Sequence, residues 1–119
     1  MTGPSIVRGD VVLVNLDPVI GREIGKTHPA VVIQNDIGNR FSPTLIVAAI
    51  TEYSKAKAGF PVSVTVLAGE AGLEKDSLVN TAQVRTIDRC RVIGRPLGRL
   101  SVDTVERLDG ALRLSLALP

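Results

Sequence analysis

Runs of β-branched residues too short for helices, separated by gaps too short for crossovers, set the strongest limit on how this chain folds. Val11-Val12-Leu13-Val14 stops at Asp17-Pro18, and Ala30-Val31-Val32-Ile33 lies between Pro29 and Asn35-Asp36. Leu45-Ile46-Val47-Ala48-Ala49-Ile50 begins after Ser42-Pro43. These three are continuous apolar stretches, which suits strands covered on both faces. Val62-Ser63-Val64-Thr65-Val66 instead alternates, valines on one face and hydroxyls on the other, as a half-exposed strand does. Shorter runs follow at Ser77-Leu78-Val79-Asn80 and Arg91-Val92-Ile93-Gly94. A parallel βαβ unit needs a crossover of a dozen or more residues carrying a helix, and the gaps do not hold one. The expectation is a mainly β domain, a small barrel or sandwich.

The period changes near the C-terminus. From Asp103 onward, Val105, Leu108, Leu112 and Leu116 recur at steps of three, four and four, the spacing of one helix face. Ser101 and Asp103 are the candidate N-caps, and Asp103 with Glu106 has capping-box spacing. Asp109 and Arg113 stand as an i,i+4 pair. Gly110 weakens such a helix by about 1 kcal/mol relative to alanine, so packing has to hold it. Residues 52–58 are read as a shorter helical turn.

At 119 residues, 45% of them hydrophobic, the chain is one domain with enough apolar material for a core. Its net charge of +2 is mildly basic, so any nucleic-acid surface has to be local. No apolar run approaches the ~18 residues of a membrane span. The opening Met1-Thr2-Gly3-Pro4-Ser5 lacks the charged and apolar regions of a secretory signal, and a cytoplasmic location is expected. The single cysteine, Cys90, has no partner for an internal disulfide and is read as a buried filler.

Few chemistries remain. Gly21-Arg22-Glu23-Ile24-Gly25-Lys26-Thr27 evokes a phosphate-binding P-loop, but three residues separate the glycines where four are needed. His28-Pro29 also leads into a strand rather than a helix. The acids are dispersed, and neither a zinc-protease helix motif nor a serine-hydrolase elbow is present. Residues 85–99 carry Arg85, Arg89, Arg91, Arg95 and Arg99 against Asp88 alone, a composition that suits phosphate. Aromatic residues are 3%, so RNA is expected to be held through phosphates and base edges more than by stacking.

The order Arg8-Gly9-Asp10, Leu16-Asp17-Pro18, Gly21, Glu23, Gly25 and Pro29-Ala30-Val31-Val32-Ile33 resembles the opening of the MazF/PemK toxins. The resemblance continues through Asn35-Asp36, Ser42-Pro43-Thr44 and Ile46-Val47-Ala48-Ala49-Ile50-Thr51. Gly72-Leu73, Asp76-Ser77 and Gln83-Val84-Arg85-Thr86-Ile87-Asp88 extend it over essentially the whole chain. It implies one domain over residues 1–119, a compact SH3-like β-barrel with a C-terminal α-helix, acting as a homodimer. It further implies a metal-independent, cofactor-free, sequence-specific endoribonuclease that cuts single-stranded RNA and is paired with a cognate antitoxin. That antitoxin is expected to lay an acidic, extended segment over the arginine-rich stretch.

In that family, catalysis is assigned chiefly to an arginine just before the Pro-Ala-Val-Val strand and to a threonine ending the third strand. Thr51 matches the threonine, while the arginine position is occupied by His28. Glu23 matches the glutamate of the first loop. Gln83 and Arg85 lie in a block that relatives use around the RNA groove, and Lys26 and Asn35 complete the candidate RNA-binding set.

Metal-free RNA cleavage requires a proton acceptor for the 2′-OH, a proton donor for the departing 5′-oxygen, and hydrogen bonds to the charged phosphoryl oxygens. Histidine transfers protons near neutrality more readily than arginine but supplies no permanent cation. Arg22 or Lys26 on the same loop is the candidate for that charge, and the Thr51 hydroxyl for a phosphate hydrogen bond. Two other readings compete. A gyrase poison of the CcdB type shares the fold, but those toxins act through a Trp-containing tail and this chain has no Trp. A catalytically silent RNA- or antitoxin-binding module is motivated by the missing arginine.

Overall fold

Each β-branched run becomes a strand. The computed structural model describes residues 5–16 and 27–119. Among them β1 (Asp10–Asn15), β2 (Thr27–Val32), β3 (Thr44–Glu52), β4 (Ser63–Val66), β5 (Ser77–Asp88) and β6 (Val92–Arg99) form one sheet. Its order is β4-β5-β3-β2-β1-β6, with every neighbouring pair antiparallel. Register shifts between Ala48 and Ala49 on β3 and between Val11 and Leu13 on β1 bend the strands, as such irregularities do. β4 and β6 remain the two edges, so the sheet is barrel-like rather than closed.

The continuous apolar runs have the predicted cause, because both faces of the sheet are covered. Val11, Val31, Ala48 and Ile50 point to one face, where they pack with Leu108, Ala111 and Leu112 of the C-terminal helix. Val12, Val14, Ala30, Val32 and Val47 point to the other, with Leu45, Ile87, Ile6 and Leu16. In β4 the expected alternation holds: Val64 and Val66 are buried, and Ser63 and Thr65 face away from that core.

Helices α1 (Asp36–Phe41) and α2 (Lys55–Ala58) are short, and α3 (Val102–Leu116) is the C-terminal helix. Of the two candidate caps for α3, Ser101 serves: its Oγ accepts from the Thr104 N–H at 3.2 Å. The buried face runs through Thr104, Leu108, Ala111 and Leu112. Leu116, expected on the buried face, is exposed at the C-terminal end of α3. Asp109 meets Arg8 Nη2 at 2.8 Å rather than serving as an intrahelical partner, which ties α3 to the segment before β1.

Three further expectations change. The Ser77 run is the start of a strand of 12 residues, far longer than its apolar core. Arg91 belongs to a 3₁₀ turn, Arg89–Arg91, capped by Asp88, whose Oδ1 accepts from the Cys90 N–H at 2.9 Å. Cys90 sits on that turn and is exposed, so it fills no core.

Candidate active site

The alignment of strands brings two predicted residues together. Ala30, Val31 and Val32 of β2 lie opposite Ala49, Ala48 and Val47 of β3. Continuing that register by two residues places His28 across from Thr51. His28 also pairs with Val14 on β1, Thr51 with Leu78 on β5, and Leu78 with Thr65 on β4. The paired sets Val14 with His28 and Thr51 with Leu78 and Thr65 thus lie on one face of the sheet, beyond the last β2–β3 pair, Ala30 with Ala49. Val14 and Leu78 are buried, whereas His28 and Thr51 are half-buried.

The next row on the same face is Val12, Ala30, Ala49, Asn80 and Ser63. Both alanines at its centre are buried, and the row turns polar at Asn80 and Ser63. A groove of about 480 Å³ opens there, within the ~300–1,000 Å³ typical of ligand sites. Leu78, Asn80 and Ser63 line it from the strands, while Lys57 and Phe60 approach from α2 and the loop after it. Ser54 shapes that approach by capping α2, its Oγ accepting from the Lys57 N–H. Gln83 also lines the groove. Arg85 lies opposite Val47, which sets it on the same face of the sheet as Thr51.

The remaining candidates part company. Arg22, Glu23 and Lys26 lie outside the described residues, in the segment that joins β1 to β2. Asn35 stands past the far end of β2 from His28. Its Oδ1 accepts from the Gly38 N–H at 2.8 Å and caps α1. Around it, Gln34 Nε2 donates to Asn39 Oδ1 and to the Thr44 carbonyl, and Asn39 Nδ2 donates to the Gln34 carbonyl. Arg89 Nη2 donates to the carbonyls of Asn39 and Ser42, closing the C-terminal end of α1. This buried polar network accounts locally for the Gln34 to Thr44 motif block: it fixes the β2–β3 connection and hence the register that aligns His28 with Thr51.

The five arginines between residues 85 and 99 do not form one stripe. Arg85 is on β5 and Arg95 and Arg99 are on β6, strands that three others separate in the sheet. Arg89 holds α1, Arg91 Nη1 donates to the Asn15 carbonyl, and Arg99 pairs with the buried Asp10 at 3.0 Å. Spacing in the sequence concealed this, because β5 and β6 diverge after the turn that joins them. Sequence reasoning also missed Lys57, Ser63 and Asn80 as site residues. Ser63 was visible as the polar phase of an alternating strand, while Asn80 had no such signal.

Residues 7–116 match the family described as PemK-like, MazF-like toxins of type II toxin–antitoxin systems. The chain belongs to this PemK/MazF toxin family. It is 47% identical over 113 residues to endoribonuclease EndoA of Bacillus subtilis (strain 168), covering 95% of this chain and 96% of that one. The fold is that of solved PemK/MazF structures. MazF from Deinococcus radiodurans superposes with a TM-score of 0.79 at 24% identity, covering 96% of this chain and 98% of that one. A mycobacterial endoribonuclease, solved with its cognate antitoxin, gives 0.78 at 21% identity, with 96% and 97% covered. In this PemK/MazF toxin, the sheet face of His28 and Thr51 and the groove on it are thus set in a family scaffold.

Proposed function

We propose that this toxin is a sequence-specific endoribonuclease that cuts single-stranded RNA without a metal or cofactor. The observation that carries the reading is the groove of about 480 Å³ that Thr51 and Gln83 line, on the sheet face that His28 shares. The RNA 2′-oxygen forms a bond to the adjacent phosphorus while the bond from phosphorus to the 5′-oxygen breaks. The 2′-OH proton passes to the base, and a proton reaches the departing 5′-oxygen, leaving a 2′,3′-cyclic phosphate and a 5′-OH. His28 is the proton-transfer group. Thr51 donates its hydroxyl to a phosphoryl oxygen as charge builds there. Arg22 or Lys26 supplies the standing positive charge, Glu23 shapes the first loop, and Gln83 and Arg85 hold RNA alongside.

The whole of residues 1–119 works as one toxin domain, in the cytoplasm, as a homodimer. Ile93 and Leu97, exposed apolar side chains on edge strand β6, fit such an assembly. No helix among the described residues is long and apolar enough to cross a membrane. A cognate antitoxin restrains the enzyme by laying an acidic, extended segment across the RNA groove. The test is incubation of labelled single-stranded RNA with the toxin in EDTA. Cleavage is the expected result. Binding without cleavage would make the protein a silent module, and neither would return attention to gyrase.

A further inference from the structure

We propose that Asn80 selects the base beside the scissile phosphate, accepting keto bases (uracil or guanine) and rejecting amino bases (adenine or cytosine). The proposal rests on the nuclease reading above and goes beyond it by naming what the groove recognises. Asn80 lies one row from Thr51 on the same face, about 7 Å along the strands, and lines the groove. Its two amide ends are chemically distinguishable here. Asn80 Oδ1 accepts from the Ala82 N–H at 2.9 Å. A backbone N–H only donates, so this bond identifies the oxygen end and occupies one of its two lone pairs. What Asn80 offers a ligand is its Nδ2 end, which carries two donors and no acceptor.

The surroundings reinforce that polarity. Lys57 brings only donors, and the hydroxyls of Ser63 and Thr51 can donate as well. Phe60, 59% exposed, offers a ring face for a base to stack on, which fixes the plane in which the base edge meets Asn80. A carbonyl oxygen of uracil or guanine accepts from Nδ2. Where cytosine or adenine presents its exocyclic amino group at the position of that keto oxygen, donor meets donor and both stay unpaired in a partly desolvated groove.

The experiment uses a pool of single-stranded RNA with randomised positions, cut by the full-length toxin and sequenced at the cleavage ends. Wild type should prefer keto over amino bases at one position flanking the cut, by roughly 5- to 100-fold. Asn80→Asp keeps an oxygen for the Ala82 N–H but replaces the outward donors with an acceptor. It should invert the keto–amino ratio at that position alone, whatever its overall rate. Asn80→Ser, which also has an oxygen for the Ala82 N–H, should flatten the ratio and gives the same readout if the aspartate variant does not fold. Cleavage by wild type with no keto preference at any flanking position would overturn the proposal. So would variants that keep the wild-type ratio. Wild type that cuts no member of the pool would overturn the nuclease reading together with this one.

Discussion

Histidine at position 28 changes what one side chain contributes, since imidazole moves protons where guanidinium only holds charge. His28→Ala should therefore lower the cleavage rate about 10²–10⁴-fold, the usual range for general acid–base catalysis, with a much smaller change in RNA affinity. Thr51→Ala should lower the rate about 10²–10³-fold, the typical loss for one donor to a developing oxyanion. Single-turnover cleavage set beside filter binding checks both, and a His28→Ala enzyme that cuts like wild type would move the chemistry to the first loop. Away from the site, two carboxylates link folding to pH. Asp36 accepts from the Arg8 N–H at 2.7 Å and from Asn39 Nδ2, which hold its pKa below the usual carboxylate value. Asp88 is held low chiefly by the Cys90 N–H. Because both folded values lie below the unfolded ones, their stabilisation is complete above the unfolded carboxylate pKa of about 3.9. It is lost as pH falls through the folded values. Thermal melts should show this acid loss, and Asp36→Asn should make it shallower.

Individual elements carry separable weights. Gly110 sits inside α3, and a Cβ built there meets nothing within 4 Å. Gly110→Ala should stabilise the fold by about 0.5–1 kcal/mol and raise the melting temperature by a few degrees. Gly98 on β6 behaves oppositely, since a Cβ there would lie 2.5 Å from the carbonyl carbon of Ala71. Gly98→Ala should lower the melting temperature by forcing apart β6 and the 3₁₀ turn Glu70–Gly72. The strands and α3 were legible in the sequence because burial on two faces leaves continuous apolar runs, and a helix on one face leaves a step of three and four. The length of β5 was not, because its second half alternates exposed and half-buried residues and carries polar side chains. The partner of Asp109 was equally hidden: Arg8 lies 101 residues away and reaches it only through the packing of α3. Thr51 and Gln83 were readable from the family resemblance. Asn80 was not, since its importance comes from pairing with Ala49 and Ser63 across three strands.

At the scale of the molecule, the two sheet faces divide the work. α3 covers one with Leu108 and Leu112, so that face is given to stability. The other is apolar over β1 and β2 and turns polar at Thr51 of β3, Asn80 of β5 and Ser63 of β4. The polar end of that face lies beside α2 and the loop after it, where Lys57 and Phe60 approach. An antitoxin segment that shields this polar end would exclude RNA, and its affinity should fall with salt as charge attraction is screened. In the proposed reaction the RNA supplies its own nucleophile. The direct measurement is cleavage in EDTA of one RNA sequence in two forms, all-ribose and with a single 2′-deoxy substitution at the cut site, followed by analysis of product ends. Attack by the RNA 2′-OH requires cutting of the ribose form to a 2′,3′-cyclic phosphate and a 5′-OH, and none at the deoxy site. Cutting at the deoxy site, or 5′-phosphate products, would contradict it.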